Sequence, residues 1–158
     1  MFADFADFGD SVKQILSLMQ KSDVWALFDH PPAPTYYKGR LCLLGDAAHA
    51  STPHCGAGAG MACEDSYVLS NLLGQIHDAK DVEAAFEAYD RIRRPRSQRL
   101  VKHSREQGEL YEFQVEAVGD DAEKLKEDLS TRMGWIWNED LQEELERAKR
   151  VLQTRASL

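Results

Sequence analysis

Hydrophobic positions divide the chain into a first part with short apolar runs and a second part with helical spacing. In the first part, Val24–Phe28 and Leu41–Leu44 have the length and bulk of β-strands, and the second run should be buried on both faces. From about residue 62 onward, apolar side chains recur every three or four positions, as in amphipathic helices packed on a core. The pattern predicts a mostly helical chain with a few strands near its beginning.

Turn-forming residues set the borders of the predicted elements in the first half. A short amphipathic helix is predicted over 11–21. Three prolines within 30–34 require a loop, because proline lacks an N–H and fixes φ, and 38–40 predicts a turn. The glycine-rich segment 56–60 should lead into a helix that ends near Leu73.

The second half predicts further helices. Asp81 is placed to cap a long helix. Pro95 is expected to kink or break this helix, because a proline ring clashes with the preceding turn. Beyond Pro95, helices are expected near 96–118, 121–133 and 138–153.

A complete parallel sheet needs several strands, and the chain offers a single short buried one. Either the fold is unusual, or the chain is an α/β fragment, mostly helical, that belongs to a larger protein. The fragment should comprise an initial segment with strands, a central segment with the glycine-rich loop and its helix, and a terminal helical segment. These segments are predicted at 1–40, 41–80 and 81–158.

Composition and charge argue against several classes of protein. The 158 residues are 43% hydrophobic, which is enough for one globular domain. Lysine and arginine total 19 against 27 acidic residues, and the net charge of −8 argues against nucleic-acid binding. No apolar run approaches the roughly 18 residues of a membrane span, and the acidic start is no secretory signal. These features predict a cytoplasmic protein with no membrane association.

One stretch departs from the acidic balance, with seven basic residues between Arg91 and Arg105. Because it has no interleaved aromatic residues, it predicts a helix face in ion pairs rather than a nucleic-acid site. Asp90, Glu87 or Glu106 are the expected partners, and part of the face should pack on a domain outside the chain. The three cysteines match no zinc spacing, so reduced thiols and no metal site are predicted.

The segment from Gly45 to Met61 carries the clearest chemistry. It combines a strand end, an acidic residue at Asp46, a loop, and a glycine-rich helix start over 56–60. Glycines let a backbone approach a ligand, unpaired N–H groups at a helix start favour negative charge, and aspartate accepts hydrogen bonds from sugar hydroxyls. The pattern fits a nucleotide or flavin cradle. It fits an ordinary glycine-rich turn equally well, since neither GxGxxG nor GxxxxGK[ST] is present.

Two histidines in this segment are candidate acid–base groups. His49 and His54 carry imidazoles that exchange protons near neutral pH. The alternative is a structural role, in which each hydrogen-bonds the loop backbone. They lie five residues apart without a nearby third ligand, which argues against a metal site.

This segment and several others resemble one known family. The sequence Gly45–His49, followed by Pro53–His54 and 56–60, closely resembles the second FAD-binding motif of the single-component aromatic hydroxylases. Within that family it is most similar to the salicylate hydroxylase-like flavoprotein monooxygenases. The resemblance extends to 25–29, 38–40, 64–65, 89–96, 104–106 and 135–137.

The resemblance implies FAD as cofactor and assigns roles to the motif. Asp46 would hydrogen-bond the ribityl chain, and its two neighbours would lie beside the pyrophosphate. Pro53 would lie at the reactive edge of the flavin, and backbone N–H groups around Ala59 and Gly60 would face its N1 and O2 atoms. The cofactor-binding candidates are Gly45, Asp46, Ala47, Pro53, Gly56, Gly58, Ala59 and Gly60. The catalytic candidates are His54, His49 and Pro53.

The resemblance also implies a fold and a function, with alternatives. The chain would be the end of a Rossmann-like FAD/NAD(P)-binding fold, with the end of a substrate domain at 1–40, the second FAD-binding motif and its helix at 41–80, and a C-terminal helical segment at 81–158. The chain matches the last third of an NAD(P)H-dependent, FAD-dependent enzyme that hydroxylates small aromatic substrates such as salicylate. The N-terminal GxGxxG half would then be a required partner. Alternatively, the chain is a truncated homologue, dimeric by self-pairing, that catalyses a cofactor-free cyclisation, isomerisation or dehydration with Asp46, His49 and His54. A non-catalytic remnant that binds a partner is a third interpretation.

Overall fold

The computed structural model describes residues 3–20, 23 and 25–156. Helices dominate these ranges, which confirms the mostly helical prediction. The α and β elements there are α1 (Asp10–Ser17), β1 (Tyr37–Lys38), β2 (Leu41–Cys42), α2 (Asp46–His49), α3 (Gly58–Leu73), α4 (Val82–Tyr111), α5 (Ala122–Arg132), α6 (Gly134–Trp137) and α7 (Leu141–Ala156). Short 3₁₀ turns occur at Ala3–Phe5, Pro53–Cys55 and Ala79–Asp81.

The core lies where α3, α4 and α7 pack on one another. Each helix contributes apolar side chains three or four positions apart, so that a continuous stripe faces its neighbours. Fully burying one such side chain is worth about 1.5–3 kcal/mol, so this shared core holds the three helices together. Its buried members are Tyr36, Ala48, Val68, Leu72, Ala85, Ala88, Tyr89, Ala148 and Leu152.

Strands β1 and β2 form an antiparallel hairpin, in which Tyr37 lies opposite Cys42. The predicted turn is confirmed, and Gly39 adopts the positive φ of +57° that it requires. The predicted burial of β2 on both faces is wrong, because Leu41 is 76% exposed. Within the described residues the sheet has only these two strands, so nothing covers this side chain.

The strand predicted at Val24–Phe28 is wrong over 25–28, where the chain is irregular. A strand needs a neighbouring strand for its backbone hydrogen bonds, and the described sheet ends at the hairpin. Val24 itself lies outside the described residues. Helix α1 ends at Ser17, four residues before the predicted end.

Helix α4 runs without a break through Pro95, so of the two predicted outcomes, a kink or a break, the break does not occur. Pro95 and Arg91, whose carbonyl loses its hydrogen bond, are both exposed, and water can replace the missing donor. The helix ends at Tyr111 rather than at 118, because Phe113 adopts a left-handed φ of +58°. The chain then loops to α5, so the helix predicted over 96–118 is too long.

Acidic residues mark the starts of the later helices, although not always as expected. Asp81 precedes α4 but makes no side-chain cap, while Asp78 accepts from the Lys80 N–H at 3.0 Å. Asp121 does cap α5, with Oδ1 accepting from the backbone of Glu123 at 3.1 Å. The helices predicted near 121–133 and 138–153 are confirmed as α5 and α7. None of the helices in the described ranges is long and apolar enough to cross a membrane.

Candidate functional site

Gly45 brings the start of the motif against helix α3. It has φ of +59° and ψ of −139°, a backbone conformation open essentially only to glycine. A Cβ built on Gly45 would lie 3.1 Å from the Cβ of Ala62, so the absence of a side chain also permits the close approach. Its N–H donates to Oδ2 of Asp65 at 3.2 Å. The loop before α2 is therefore fixed to α3 at this point.

Asp65 is the centre of a buried polar cluster beneath the motif. Its Oδ2 also accepts from Nε2 of His49 at 2.5 Å, and its Oδ1 accepts from Nε of Arg93 at 2.8 Å. Burial alone would raise the pKa of Asp65, but the hydrogen bonds from His49 and Arg93 outweigh it and hold the pKa below its ordinary value. Asp65 is therefore an ionised acceptor that holds α2, α3 and α4 together.

Arg93 extends the cluster to the C-terminal helix. Its side chain is buried, and its Nη1 donates to Glu144 Oε2 on α7 at 2.7 Å, while Nη2 lies 2.8 Å from Glu64 Oε2. Burial raises the pKa of Glu144 despite the opposing attraction of Arg93. Arg96 holds Glu64 from the other side, with both of its carboxylate oxygens within 2.9 Å. The motif is thus linked to α7 through buried ion pairs.

A second anchor holds the loop around Pro53. The hydroxyl of Ser104 on α4 donates to the carbonyl of Thr52 at 2.5 Å and accepts from the N–H of Cys55 at 3.3 Å. His54 packs directly over Gly108, since a Cβ at Gly108 would lie 2.6 Å from its Nε2. The 3₁₀ turn at Pro53–Cys55 is therefore held against α4 on both sides of the proline.

The other motif residues form an open surface. Asp46, Ala47, Pro53, Ala59 and Gly60 are all exposed. Within the described part of the chain, the Asp46 carboxylate has no hydrogen-bond or ion-pair partner. The first N–H of α3 to reach a carbonyl is that of Met61, to Ala57 at 3.0 Å, and no described side chain caps the helix start. The preceding N–H groups are left for a ligand.

The family model described as the FAD binding domain matches residues 17–104. The chain belongs to the FAD-binding domain family. This confirms the predicted cofactor, FAD, as that of the family.

Two curated relatives refine this assignment. A salicylate hydroxylase of Pseudomonas putida is 45% identical over 94% of this chain and 35% of its own length. A 6-methylsalicylate 1-monooxygenase of Aspergillus terreus is 40% identical over 89% of this chain and 32% of its own length. The predicted resemblance to aromatic hydroxylases is confirmed. The chain spans about a third of the length of these relatives.

Solved structures agree with the sequence matches. A salicylate hydroxylase in complex with its substrate has a TM-score of 0.85 and 48% identity, covering 94% of this chain and 36% of that one. HpxO of Klebsiella pneumoniae, complexed with FAD and uric acid, has a TM-score of 0.62 and 25% identity, covering 98% of this chain. The fold is therefore part of the FAD-dependent monooxygenase fold.

The open surface of this chain fits the flavin end of FAD. The exposed Asp46 carboxylate suits hydroxyl donors, and the bare N–H groups at the start of α3 suit a ring edge with negative charge. A Cβ at Gly60 would meet nothing within 4 Å, so this turn leaves room for a flat ring. The dinucleotide fingerprint GxGxxG is absent from the sequence, and no comparable site for an adenine end is seen among the described residues.

The two candidate histidines have different surroundings in the structure. His54 is half-buried beside the open surface, whereas His49 is only 1% exposed and commits Nε2 to Asp65. Gly56 and Gly58 lie in the loop and first turn that lead into α3, beside the other candidates. Their functional roles stay predictions.

Sequence reasoning missed the residues that support this surface. Asp65, Arg93, Ser104 and Gly108 were not identified as functional, although Arg93 falls on the buried face of α4, four positions after Tyr89. A charged residue on an apolar helix face needs a buried partner, and that signal was available. The predicted ion pairs of the basic run are confirmed for Arg94–Asp90 and Lys102–Glu106. Glu87 instead pairs with Arg155.

Proposed function

We propose that this chain is the flavin-facing part of an NAD(P)H-using, FAD-dependent monooxygenase that hydroxylates a small aromatic acid of the salicylate type. One observation carries the proposal: the motif presents an unpartnered Asp46 carboxylate and bare α3 N–H groups on one open surface. The names of the two curated relatives support the substrate class.

Different residues of this surface contact different parts of the cofactor. Asp46 accepts hydrogen bonds from the ribityl hydroxyls, with Gly45 and Ala47 beside the pyrophosphate. The N–H groups around Ala59 and Gly60 face the N1 and O2 edge of the ring. A helix start stabilises negative charge there by about 0.3–2 kcal/mol. When bound, FAD supplies the electron transfer and dioxygen activation that aromatic hydroxylation requires.

The loop residues shape the reacting edge. Pro53 lies exposed between its two anchored neighbours, where a rigid ring excludes water without offering a donor of its own. His54 is our candidate for proton transfer to or from the substrate, because it is half-buried at the edge of the surface. His49 suits a positioning role, since it holds α2 to Asp65 from a buried site.

In this proposal, one apolar face of the chain packs against a further segment of the enzyme. Large apolar side chains are exposed beside the hairpin and the irregular segment before it, as expected of a face that packs on further chain. They include Trp25, Leu27, Phe28, Leu41 and Leu43. The N-terminal two thirds found in the relatives is our proposed occupant. A homodimer, the three-segment division at 1–40, 41–80 and 81–158, and a cytoplasmic location remain predictions.

FAD binding tests the proposal. The purified chain is titrated with FAD, and the flavin absorption of the protein-bound fraction gives the affinity. Replacing a carboxylate that accepts hydrogen bonds, Asp46→Asn, should weaken binding roughly tenfold. The matched control is Asp120→Asn, an exposed aspartate in the loop before α5, which should bind as the wild type does.

Two outcomes would contradict the proposal. If the folded chain bound no FAD, the proposal that it holds this cofactor would be contradicted. Equal affinities of the wild type and Asp46→Asn would remove the proposed ribityl contact. The cofactor-free cyclase, isomerase or dehydratase interpretation is not favoured, because the matching family is an FAD binding domain and further relatives are named FAD-dependent monooxygenases.

A further inference from the structure

Helix α2 is a single turn whose two ends are held by the same carboxylate. The turn covers Asp46–His49, and Gly45 comes directly before it. Oδ2 of Asp65 accepts from the N–H of Gly45 at 3.2 Å and lies 2.5 Å from Nε2 of His49. One oxygen of a side chain on α3 therefore contacts both the residue that precedes the turn and the residue that ends it.

Asp46 lies between these two contacts. Its carboxylate is exposed and has no hydrogen-bond or ion-pair partner in the described part of the chain, so the backbone of α2 alone sets its direction. A helix this short does not hold its shape by itself, because isolated helices below about 12–15 residues are marginal in water. Ala48 is buried in the core, but its methyl group offers no directional contact. The direction of Asp46 therefore depends on the two hydrogen bonds to Asp65.

The carboxylate of Asp65 is itself fixed in place. The side chain is fully buried, and its second oxygen, Oδ1, accepts from Nε of Arg93 at 2.8 Å. Arg93 is held in turn by Glu144 on α7, at 2.7 Å. Because a turn of the carboxylate would leave a buried cation without its partner, Asp65 keeps Oδ2 directed at α2.

We propose that Asp65 is a positioning residue for flavin binding, which holds both flanks of Asp46 and so directs the Asp46 carboxylate at the ribityl hydroxyls. This role rests on the proposed function, in which Asp46 binds the ribityl chain. Asp65 is buried beneath the motif and acts through Asp46. An acceptor that already points in the binding direction strengthens binding, because less freedom is lost when the ligand arrives.

A double-mutant cycle on FAD affinity tests the proposal, with the four forms wild type, Asp65→Asn, Asp46→Asn and the double variant. The amide of Asp65→Asn has one oxygen, which cannot accept from Arg93 on one side and from Gly45 on the other. Asp65→Asn should weaken FAD binding roughly threefold to tenfold in the wild type. It should weaken binding less than about twofold in Asp46→Asn, because the contact that it positions is already lost. A merely structural role would weaken binding by the same factor in both.

Glu144→Gln is the matched control. It changes a carboxylate of the same buried cluster, but Glu144 contacts Arg93 and not α2. The FAD affinity of the folded control should equal that of the wild type. If circular dichroism shows that Asp65→Asn does not fold, His49→Phe takes its place, since it keeps a ring and removes the nitrogen that faces Asp65. It should weaken FAD binding roughly threefold, and again only where Asp46 is present.

The possible results distinguish this role from the proposed function. Unchanged affinity of folded Asp65→Asn, or of His49→Phe in its place, would overturn the positioning role alone. Equal losses in the two Asp46 backgrounds would also overturn it, as would a loss with Glu144→Gln as large as that with Asp65→Asn. A wild type that binds no FAD, or that loses no affinity with Asp46→Asn, would contradict the proposed function and the positioning role together.

Discussion

Two glycines of the motif adopt positive φ for different reasons. Gly45 has φ of +59° with ψ of −139° and lies against Ala62. Gly56 has φ of +61° with ψ of 16°, a left-handed conformation, and a Cβ there would meet nothing within 4 Å. Only Gly45 therefore combines a backbone restricted to glycine with a lack of space.

Alanine substitutions at these two glycines should separate strain from crowding. Gly56→Ala should cost about 1–2 kcal/mol of unfolding free energy, the usual cost of a left-handed alanine. Gly45→Ala should cost at least about 2 kcal/mol more, because its backbone is more strained and its Cβ collides with Ala62. Urea denaturation measures both. Equal unfolding midpoints would show that α3 does not crowd Gly45.

The three cysteines are free thiols in different surroundings. Burial raises the pKa of Cys42 to about 11 and raises the pKa of Cys55, whereas Cys63 is exposed on α3. Because the thiolate is the reactive form, iodoacetamide at about pH 8 should label Cys63 well before the other two. Mass spectrometry of timed samples checks this. Cys63→Ser should remove the fast phase, and fast labelling of Cys42 would contradict its burial.

At the scale of elements, α4 organises the site. It carries Arg93, which joins α3 to α7, and Ser104, which holds the loop around Pro53. Its existence could be predicted from apolar spacing, whereas the continuation through Pro95 could not, because the proline rule takes no account of exposure. The partners of Arg93 could not be predicted either, since they lie 28 to 51 residues away in sequence.

Removing the Arg93 charge should uncouple these helices. Arg93→Met removes the buried cation beside Asp65 and Glu144, and breaking such a pair costs about 3–5 kcal/mol of unfolding free energy. Arg91→Met, on the exposed side of the same helix, should change it by less than about 0.5 kcal/mol. Chemical denaturation compares them. Similar midpoints would mean that the cluster does not hold the fold together.

The packing of α4 against α5 and α6 should depend on pH. The ring centroids of His103 and Trp135 lie 5.6 Å apart, with the two rings nearly perpendicular. Burial, with the nearby charge of Arg132, lowers the pKa of His103. The folded state thus prefers the neutral ring. Its contribution to stability is complete above the ordinary value of about 6.5 and is lost as the pH falls through the lowered pKa.

Denaturation curves measured from neutral to mildly acidic pH test this dependence. His103→Gln should flatten the loss of stability below about pH 6.5, because the titrating group is gone. His77→Gln, at an exposed site after α3, should leave the profile of the wild type unchanged. A profile that His103→Gln does not alter would assign the acid sensitivity to other groups.

At the scale of the whole molecule, local patterns predicted more than long-range ones. The helices follow from the spacing of apolar residues, whereas the flavin motif follows from its resemblance to a known family, because its spacing alone leaves an ordinary glycine-rich turn open. The failed strand at 25–28 and the exposed Leu41 depend on pairing partners beyond the described sheet. Assigning a strand to a run of apolar residues assumes that such pairing partners are present. This chain spans only about a third of the length of its relatives.

The central claim is that this chain recognises the flavin end of FAD through Asp46 and the first turn of α3. Amide NMR with FMN and with adenosine tests it most directly, since each probe carries one end of the cofactor and adenosine lacks the pyrophosphate. The account predicts that FMN shifts the amide signals of Asp46, Ala59 and Gly60, and that adenosine leaves them in place. Shifts with adenosine but not with FMN would contradict it.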